Sequence, residues 1–331
     1  MIEVEVAGRF FRYNEPGYYG FGLRLGLTNL FRNGFSLGLK RTVGLVTQPI
    51  NSHTRFAEYY FLGGDIEDAL ARHGRVQGTR ILDVGSPKSF GLYLAYHFAV
   101  EAHLTDIDAP TVREAECLWG GVKQKARGGV HLSLQDARSL SYADGLFDAV
   151  FSMSVVEHIE GREGDTQAIR EMARVLRPGG VLAVSVPFGE TYQEQEIVGF
   201  RAAAQRTKDH ARYFFQRIYS TEAVEARILR AAPGLVLRRA VSVGRGGRLL
   251  WYTHGRLGLV AGLFGFLYPV FSSLSNSAQE GLVTPPGRYG ALNTPRDIYG
   301  DAILVWQKPA GPKQEACRQD AYAAEARAEA E

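Results

Sequence analysis

Between residues 79 and 188 the chain alternates apolar runs with stretches long enough for helices, and that rhythm admits few folds. "RILDVG" ends at Gly85, "VEAHLTDI" covers 100–107, "VHLSLQDA" 130–137, "FDAVFSMSV" 147–155 and "VLAVSVPF" 181–188. Helices are expected over 88–98, about 111–126 and about 165–176, the last stopped by Pro178 and Gly179 in "RPGG". Strands joined by helices at this spacing build a parallel sheet covered on both faces. The expected class is α/β, a doubly wound and mostly parallel Rossmann-like sheet.

The flanks read differently. Residues 1–78 form an N-terminal extension with lid helices. Within it, 1–50 is expected to be irregular or short-stranded, with alternation in "IEVEVAGRFFRY". "HTRFAEYYFL" looks helical and places Phe56, Tyr59 and Tyr60 at helical spacing, while Asp65 is positioned to cap "IEDALARH". The sheet-forming core is expected over 79–245, and within it a polar stretch, 190–212, leads to "STEAVEARILRAA", where Ser220 or Thr221 starts a helix. "LVLRRAVSVG" (235–244) and "DAILVWQKP" (301–309) are late strands, too far apart in sequence for a hairpin. The residues between them, 246–300, read as an apolar cap insertion, 301–310 as the final core strand and the Ala/Glu-rich 311–331 as a flexible tail. The cap holds an uncharged run, 257–275, broken by Gly258, Gly262, Gly265 and Pro269. That run is expected to cover the cleft and line an acceptor site; a peripheral membrane or lipid contact is the alternative, because so large an apolar patch is rarely left free.

A formal net charge of +3 with scattered Lys and Arg argues against a nucleic-acid partner. Cys117 and Cys317 lie too far apart in sequence to suggest a disulfide framework or a thiolate site, and no metal is expected. The acidic, alternating "MIEVEVAGRF" is unlike a signal peptide, so the expected setting is cytoplasmic, with membrane association through 257–275 as a variant.

The chemistry gathers at the strand ends. In "ILDVGSPKSFGLYLA" Ser86 is placed as an N-cap and Pro87 as the first helical residue, directly after Gly85. Gly91, one turn on, would let the helix lie close to the sheet. An ordinary strand-to-helix turn is the alternative. Asp106 ends the second strand about 20 residues later, where doubly wound sheets hold ribose hydroxyls. Asp136 ends the third strand, with the Ala137 backbone positioned for an adenine edge.

These segments, with "LTDID", "QDARSLSYADGLFDAVFSMSVVEHI" and "REMARVLRPGGVLAVSVPF", resemble the class I S-adenosylmethionine-dependent methyltransferases of the type 11 group, from about Arg80 to Phe188. The resemblance implies S-adenosylmethionine as cofactor, with Asp83 and Gly85 in the first motif, Asp106 at the ribose and Asp136 at the adenine. It implies methyl transfer to a small-molecule acceptor, and the apolar cap suggests a hydrophobic or lipid-like one. The first loop departs from the family's Gly-x-Gly-x-Gly, with Ser86 and Lys88 in the region of the later glycines. Ser86 is retained as a cofactor residue because Ser-Pro preserves a helix start. His158, after the fourth strand, and His210, in "TKDHARYFF", are the candidate bases; His53 and His97 read as packing or surface residues. The altered loop also leaves a rival, a catalytically inactive cofactor-binding or scaffold protein. Another nucleotide-using Rossmann enzyme is the second rival, opposed by "FDAVFSMSVVEH".

Overall fold

The computed structural model describes residues 16–32, 38, 42, 58, 62–66, 78–198, 200–201, 205–206, 211–244, 283–284 and 300–310. β1 (Thr79–Val84), β2 (Val100–Asp106), β3 (Gly129–Leu134), β4 (Phe147–Met153) and β5 (Leu176–Phe188) pair in parallel in the spatial order β3-β2-β1-β4-β5. Two small antiparallel ribbons follow: β6 (Gln193–Val198) with β9 (Arg212–Ile218), and β7 (Phe200–Arg201) with β8 (Gln205–Arg206). β10 (Val236–Gly244), β11 (Val283–Thr284) and β12 (Gly300–Gln307) then extend the main sheet beyond β5 in the order β5-β12-β10-β11. β12 runs antiparallel to both its neighbours, which completes the mostly parallel eight-stranded sheet.

Helices α1 (Pro16–Arg32), α2 (Lys88–His97), α3 (Ala109–Val122) and α4 (Gly164–Val175) complete the layers. Strand alternation sends successive residues to opposite faces. Along β5, Val181 and Ala183 pack with Ile81, Phe90, Leu104 and Leu118, while Leu182, Val184 and Val186 pack with Leu82, Val150, Ile169 and Met172. Helices α2 and α3 therefore cover one face and α4 the other. Burying each such side chain contributes about 1.5–3 kcal/mol.

Several local expectations are corrected. Residues 16–32 form a helix rather than irregular or short-stranded chain. Their buried positions, Phe21, Gly22, Leu25, Gly26 and Asn29, recur at helical spacing, and the glycines concealed that stripe. Asp65 lies inside the helical residues 62–66 rather than capping a later helix, and pairs with Arg239 at 3.1 Å. α3 starts at Ala109 because Asp108 caps it, its Oδ2 accepting from Thr111 N at 2.9 Å. α4 ends at Val175, before "RPGG". Leu176 already pairs with Phe147, and the four residues Arg177–Gly180 lie within β5 as a bulge between the Phe147 and Ala149 partners, with Gly179 at φ 77°. The stretch 190–212, read only as polar, contains β6–β8 and the start of β9. Ser220 does start a helix, Thr221–Ala223, accepting from Ala223 N at 3.3 Å.

Asp165, in the first turn of α4, anchors this added ribbon to the core. Its fully buried carboxylate accepts two 2.8 Å bonds from Arg227 and one of 2.8 Å from Tyr219, and Arg217 of β9 stands 3.9 Å away. Burial raises the cost of the charge, but the Arg227 hydrogen bond, Arg217 and Tyr219 together hold the carboxyl below its ordinary range. A depressed pKa contributes stability that is complete above the unfolded value and is lost as pH falls through the folded one. Removing one partner leaves buried guanidinium charge uncompensated, so Asp165→Asn should lose about 3–5 kcal/mol in urea denaturation at neutral pH. The deficit relative to wild type should shrink as pH falls below about 4, where the carboxyl of the unfolded chain takes up a proton before that of the folded one does.

Candidate functional site

Parallel pairing brings the carboxyl ends of β1, β2, β3 and β4 to one edge, and the candidate residues lie there. The turn after β1 is held from within. Gly85 takes φ 73°, a conformation that strains other residues, and an added Cβ would lie 2.5 Å from Val155 Cγ1. Its N–H bonds Thr105 O at 2.9 Å, while the Thr105 hydroxyl donates to Asp83 O at 2.8 Å. Asp83 Oδ1 accepts from Ser86 N at 2.8 Å. The N-cap of α2 is Pro87 rather than Ser86. The Ser86 hydroxyl instead accepts from Met153 N at 2.9 Å, satisfying a backbone donor at the end of β4. Gly91 gives the expected close packing, for a Cβ there would collide with Leu104.

Lys88 is the residue whose importance the sequence did not reveal. Its side chain is buried, and Nζ lies 3.4 Å from Asp83 Oδ1, 3.4 Å from Asp106 Oδ2 and 2.7 Å from Ser86 O. One ammonium thus bridges the carboxylates that end two adjacent strands. Asp106 Oδ1 also accepts from Asp108 N at 3.0 Å. Asp136 follows β3, where Arg138 grips it through Nε and Nη2, the latter at 2.7 Å, and its own N–H at 2.9 Å. The Arg138 hydrogen bond holds the Asp136 carboxyl below its usual range. Ala137 is partly buried and packs against the core on the α4 face of the sheet.

Across the strand ends, Ser154 takes φ 48°, alone among the described non-glycine residues in having positive φ. Its N–H donates to Ser185 Oγ at 3.0 Å, and both serine hydroxyls donate to Oε1 of the buried Glu58. A carboxylate from the N-terminal extension therefore sits over β4 and β5. His158 lies in the 3-10 turn Val156–His158. Its Nδ1 is 2.7 Å from Phe215 O, its ring packs against Phe215, and Nε2 is 3.6 Å from Glu157 Oε1. A carbonyl only accepts, so Nδ1 carries the hydrogen of that bond. His97 instead packs among Phe21, Tyr93 and Tyr96. His210, His53, Phe56, Tyr59, Tyr60 and the run 257–275 lie outside the described residues.

Burial pushes the Asp83 carboxyl up to about 6, against the pull of Lys88 and the Ser86 hydrogen bonds. A raised carboxyl pKa gives a contribution to stability that is complete below the unfolded value of 3.8 and is lost as pH rises towards about 6. Lys88→Met removes the main opposing charge. An NMR titration of the Asp83 carboxyl carbon should therefore show its midpoint moving above the wild-type value, and this loss of stability should extend to higher pH.

Residues 82–184, from β1 through most of β5, match the family model of a methyltransferase domain. The O-methyltransferase resE of Aspergillus sclerotiorum is 32% identical over 117 residues, covering 35% of this chain and 42% of the relative. The methyltransferase GfsG of Streptomyces halstedii is 46% identical over 56 residues, 17% of this chain and 19% of that protein. The probable tRNA methyltransferase 9B of Mus musculus is 32% identical over 109 residues, 33% of this chain and 22% of its own length. The chain thus spans less than half the length of each of these relatives. Among solved structures, the cyclase SpnF aligns over 75% of this chain and 82% of its own, at 23% identity and a TM-score of 0.45. The family match, together with the order of motifs along the strand ends, places the segment 82–184 in the class I S-adenosylmethionine-dependent methyltransferases.

Proposed function

We propose that this chain transfers a methyl group from S-adenosylmethionine to a small acceptor of hydrophobic or lipid-like character. The observation that carries the reading is the run of Gly85, Asp106 and Asp136 at three adjacent strand ends of one parallel sheet. Ligands of doubly wound sheets bind in that crevice. Asp83, Gly85 and Ser86 would hold the methionine end, Asp106 the ribose hydroxyls, and Asp136 with the Ala137 backbone the adenine. The residues fit such a group. Asp106 is only partly buried, its side chain 14% exposed, and the buried Asp83 Oδ2 accepts no hydrogen bond among the described residues.

The cofactor, when bound, supplies an electrophilic sulfonium methyl; the protein has to orient the acceptor and manage its proton. Positioning provides much of the acceleration in such a displacement. His158 is the base in this reading: Nδ1 donates to the Phe215 carbonyl, and Glu157, 3.6 Å from Nε2, would stabilise the imidazolium formed when the acceptor gives up its proton. His210 is the second candidate. The printed names of two relatives support methyl transfer, and the apolar composition of 257–275 favours a hydrophobic acceptor. A cytoplasmic enzyme with a peripheral lipid contact through that run is consistent with this. Among the described residues no helix is long and apolar enough to cross a membrane.

A second reading, a cofactor-binding or scaffold protein without turnover, is favoured by Lys88, whose ammonium engages the same Asp106 that the ribose would need. Calorimetry with S-adenosylmethionine and its demethylated product, followed by a methyl-labelled donor in cell extract, separates the two. Binding without any labelled product would support the scaffold; absence of binding would remove both.

Asp106→Ala should weaken S-adenosylmethionine binding by about 1–3 kcal/mol, the cost of removing a charged acceptor. His158→Gln should leave that affinity unchanged and slow turnover by about 10²–10⁴-fold, as expected for a lost general base. Wild-type turnover in the His158 variant would assign the proton to another group.

A further inference from the structure

We propose that Glu101, His103 and His131 form a binding site for a divalent transition-metal ion of the Zn²⁺ class at the β3 edge of the sheet. Glu101 and His103 are two apart on β2, so their side chains leave the same face. Parallel pairing sets His103 directly against His131 of β3 and sets Glu101 against Gly129. The second imidazole therefore stands beside the first, and the carboxylate faces a residue without a side chain. A ligand atom from each of the three lies within 4.8 Å of the other two. The imidazole rings stack with centroids 4.7 Å and planes 24° apart, and His131 Nε2 is 2.7 Å from Glu101 Oε2.

The cluster combines one fixed ligand with two adjustable ones. His103 is half-buried and packs edge-on against Tyr142 and Phe147, at 5.5 and 5.1 Å between centroids. The side chains of His131 and Glu101 are 57% and 49% exposed. Zn²⁺ binds imidazole nitrogen and carboxylate oxygen at about 2.0–2.2 Å, so rotation of the two exposed side chains is enough to bring all three donors onto one ion. Two imidazoles and a carboxylate suit Zn²⁺, Ni²⁺ or Cu²⁺, whereas Mg²⁺ and Ca²⁺ require oxygen ligands. The ion would bond the edge strand β3 to β2, below the ends that carry Asp136 and Asp106, with at least one coordination position left to water.

The test uses the full chain, stripped with a chelator and titrated with Zn²⁺ against a chromophoric competitor. One saturable equivalent is expected, together with a rise in thermal midpoint. His131→Ala and Glu101→Ala should each weaken affinity at least tenfold and abolish the thermal shift. Both positions are exposed, and circular dichroism will verify that each variant is folded; His131→Gln provides a variant of similar size. His97→Ala, which removes a half-buried imidazole elsewhere, should retain wild-type affinity. The proposal is overturned if binding does not saturate, if the His131 and Glu101 variants keep wild-type affinity, or if His97→Ala loses as much as they do.

Discussion

A carboxylate buried at the tip of the central strand organises the cleft. Asp83 has no solvent exposure, so its charge is tolerable only with partners close at hand. Ser86 N–H and the Lys88 ammonium are those partners, and recruiting them curls the chain back over β1 immediately after Gly85. The same curl fixes where α2 begins and how near it lies to β2. Lys88 reaches a second strand end because β1 and β2 are in register, Val84 opposite Thr105. One charge-burial problem thereby sets the loop, the helix start and the electrostatic environment of Asp106.

A second buried carboxylate does comparable work at the start of α4. Asp165 joins α4 to β9 and the helical turns after Ser220 through two arginines and a tyrosine. Phe215 lies on that same β9, and its carbonyl fixes the tautomer of His158. The ribbon is thus continuous with the candidate site: the ion cluster at the start of α4 holds the strand whose carbonyl orients the imidazole.

The parallel core was legible because each of its strands is an apolar run and three of the four connections between them are helix-length polar-apolar stretches. Gly85, Asp106 and Asp136 were legible for the same reason, since a strand delivers whatever follows it to one edge. The contacts that depend on register or on long separation were not. Nothing local marks Glu58 as the acceptor for Ser154 and Ser185, which lie 96 and 127 residues away. Lys88 looked like a loop residue, and its reach to Asp106 depends on how two strands align. Glu101 and His103 show only a two-residue spacing until β3 brings His131 alongside. Helix α1 was hidden by glycines at Gly20, Gly22 and Gly26, residues that weaken helix propensity yet sit here in a helix that packs its Phe21 and Leu25 into the core. The bulge at "RPGG" was misread because Pro and Gly ordinarily punctuate rather than continue a strand.

The tie between Glu58 and the two serines has a consequence for how this domain is divided. The segment that matches the methyltransferase family begins at residue 82 and ends at 184, so it excludes Glu58, Ser185 and Phe215. Each of these nevertheless touches the strand-end region directly, through Ser154 or His158. The shared segment is therefore an incomplete physical unit. Excised at its sequence boundaries, it would leave the Ser154 hydroxyl without its buried acceptor and release an imidazole whose tautomer is now set. The matched segment furnishes one part of the strand-end region, and residues before and after it in the chain supply the rest.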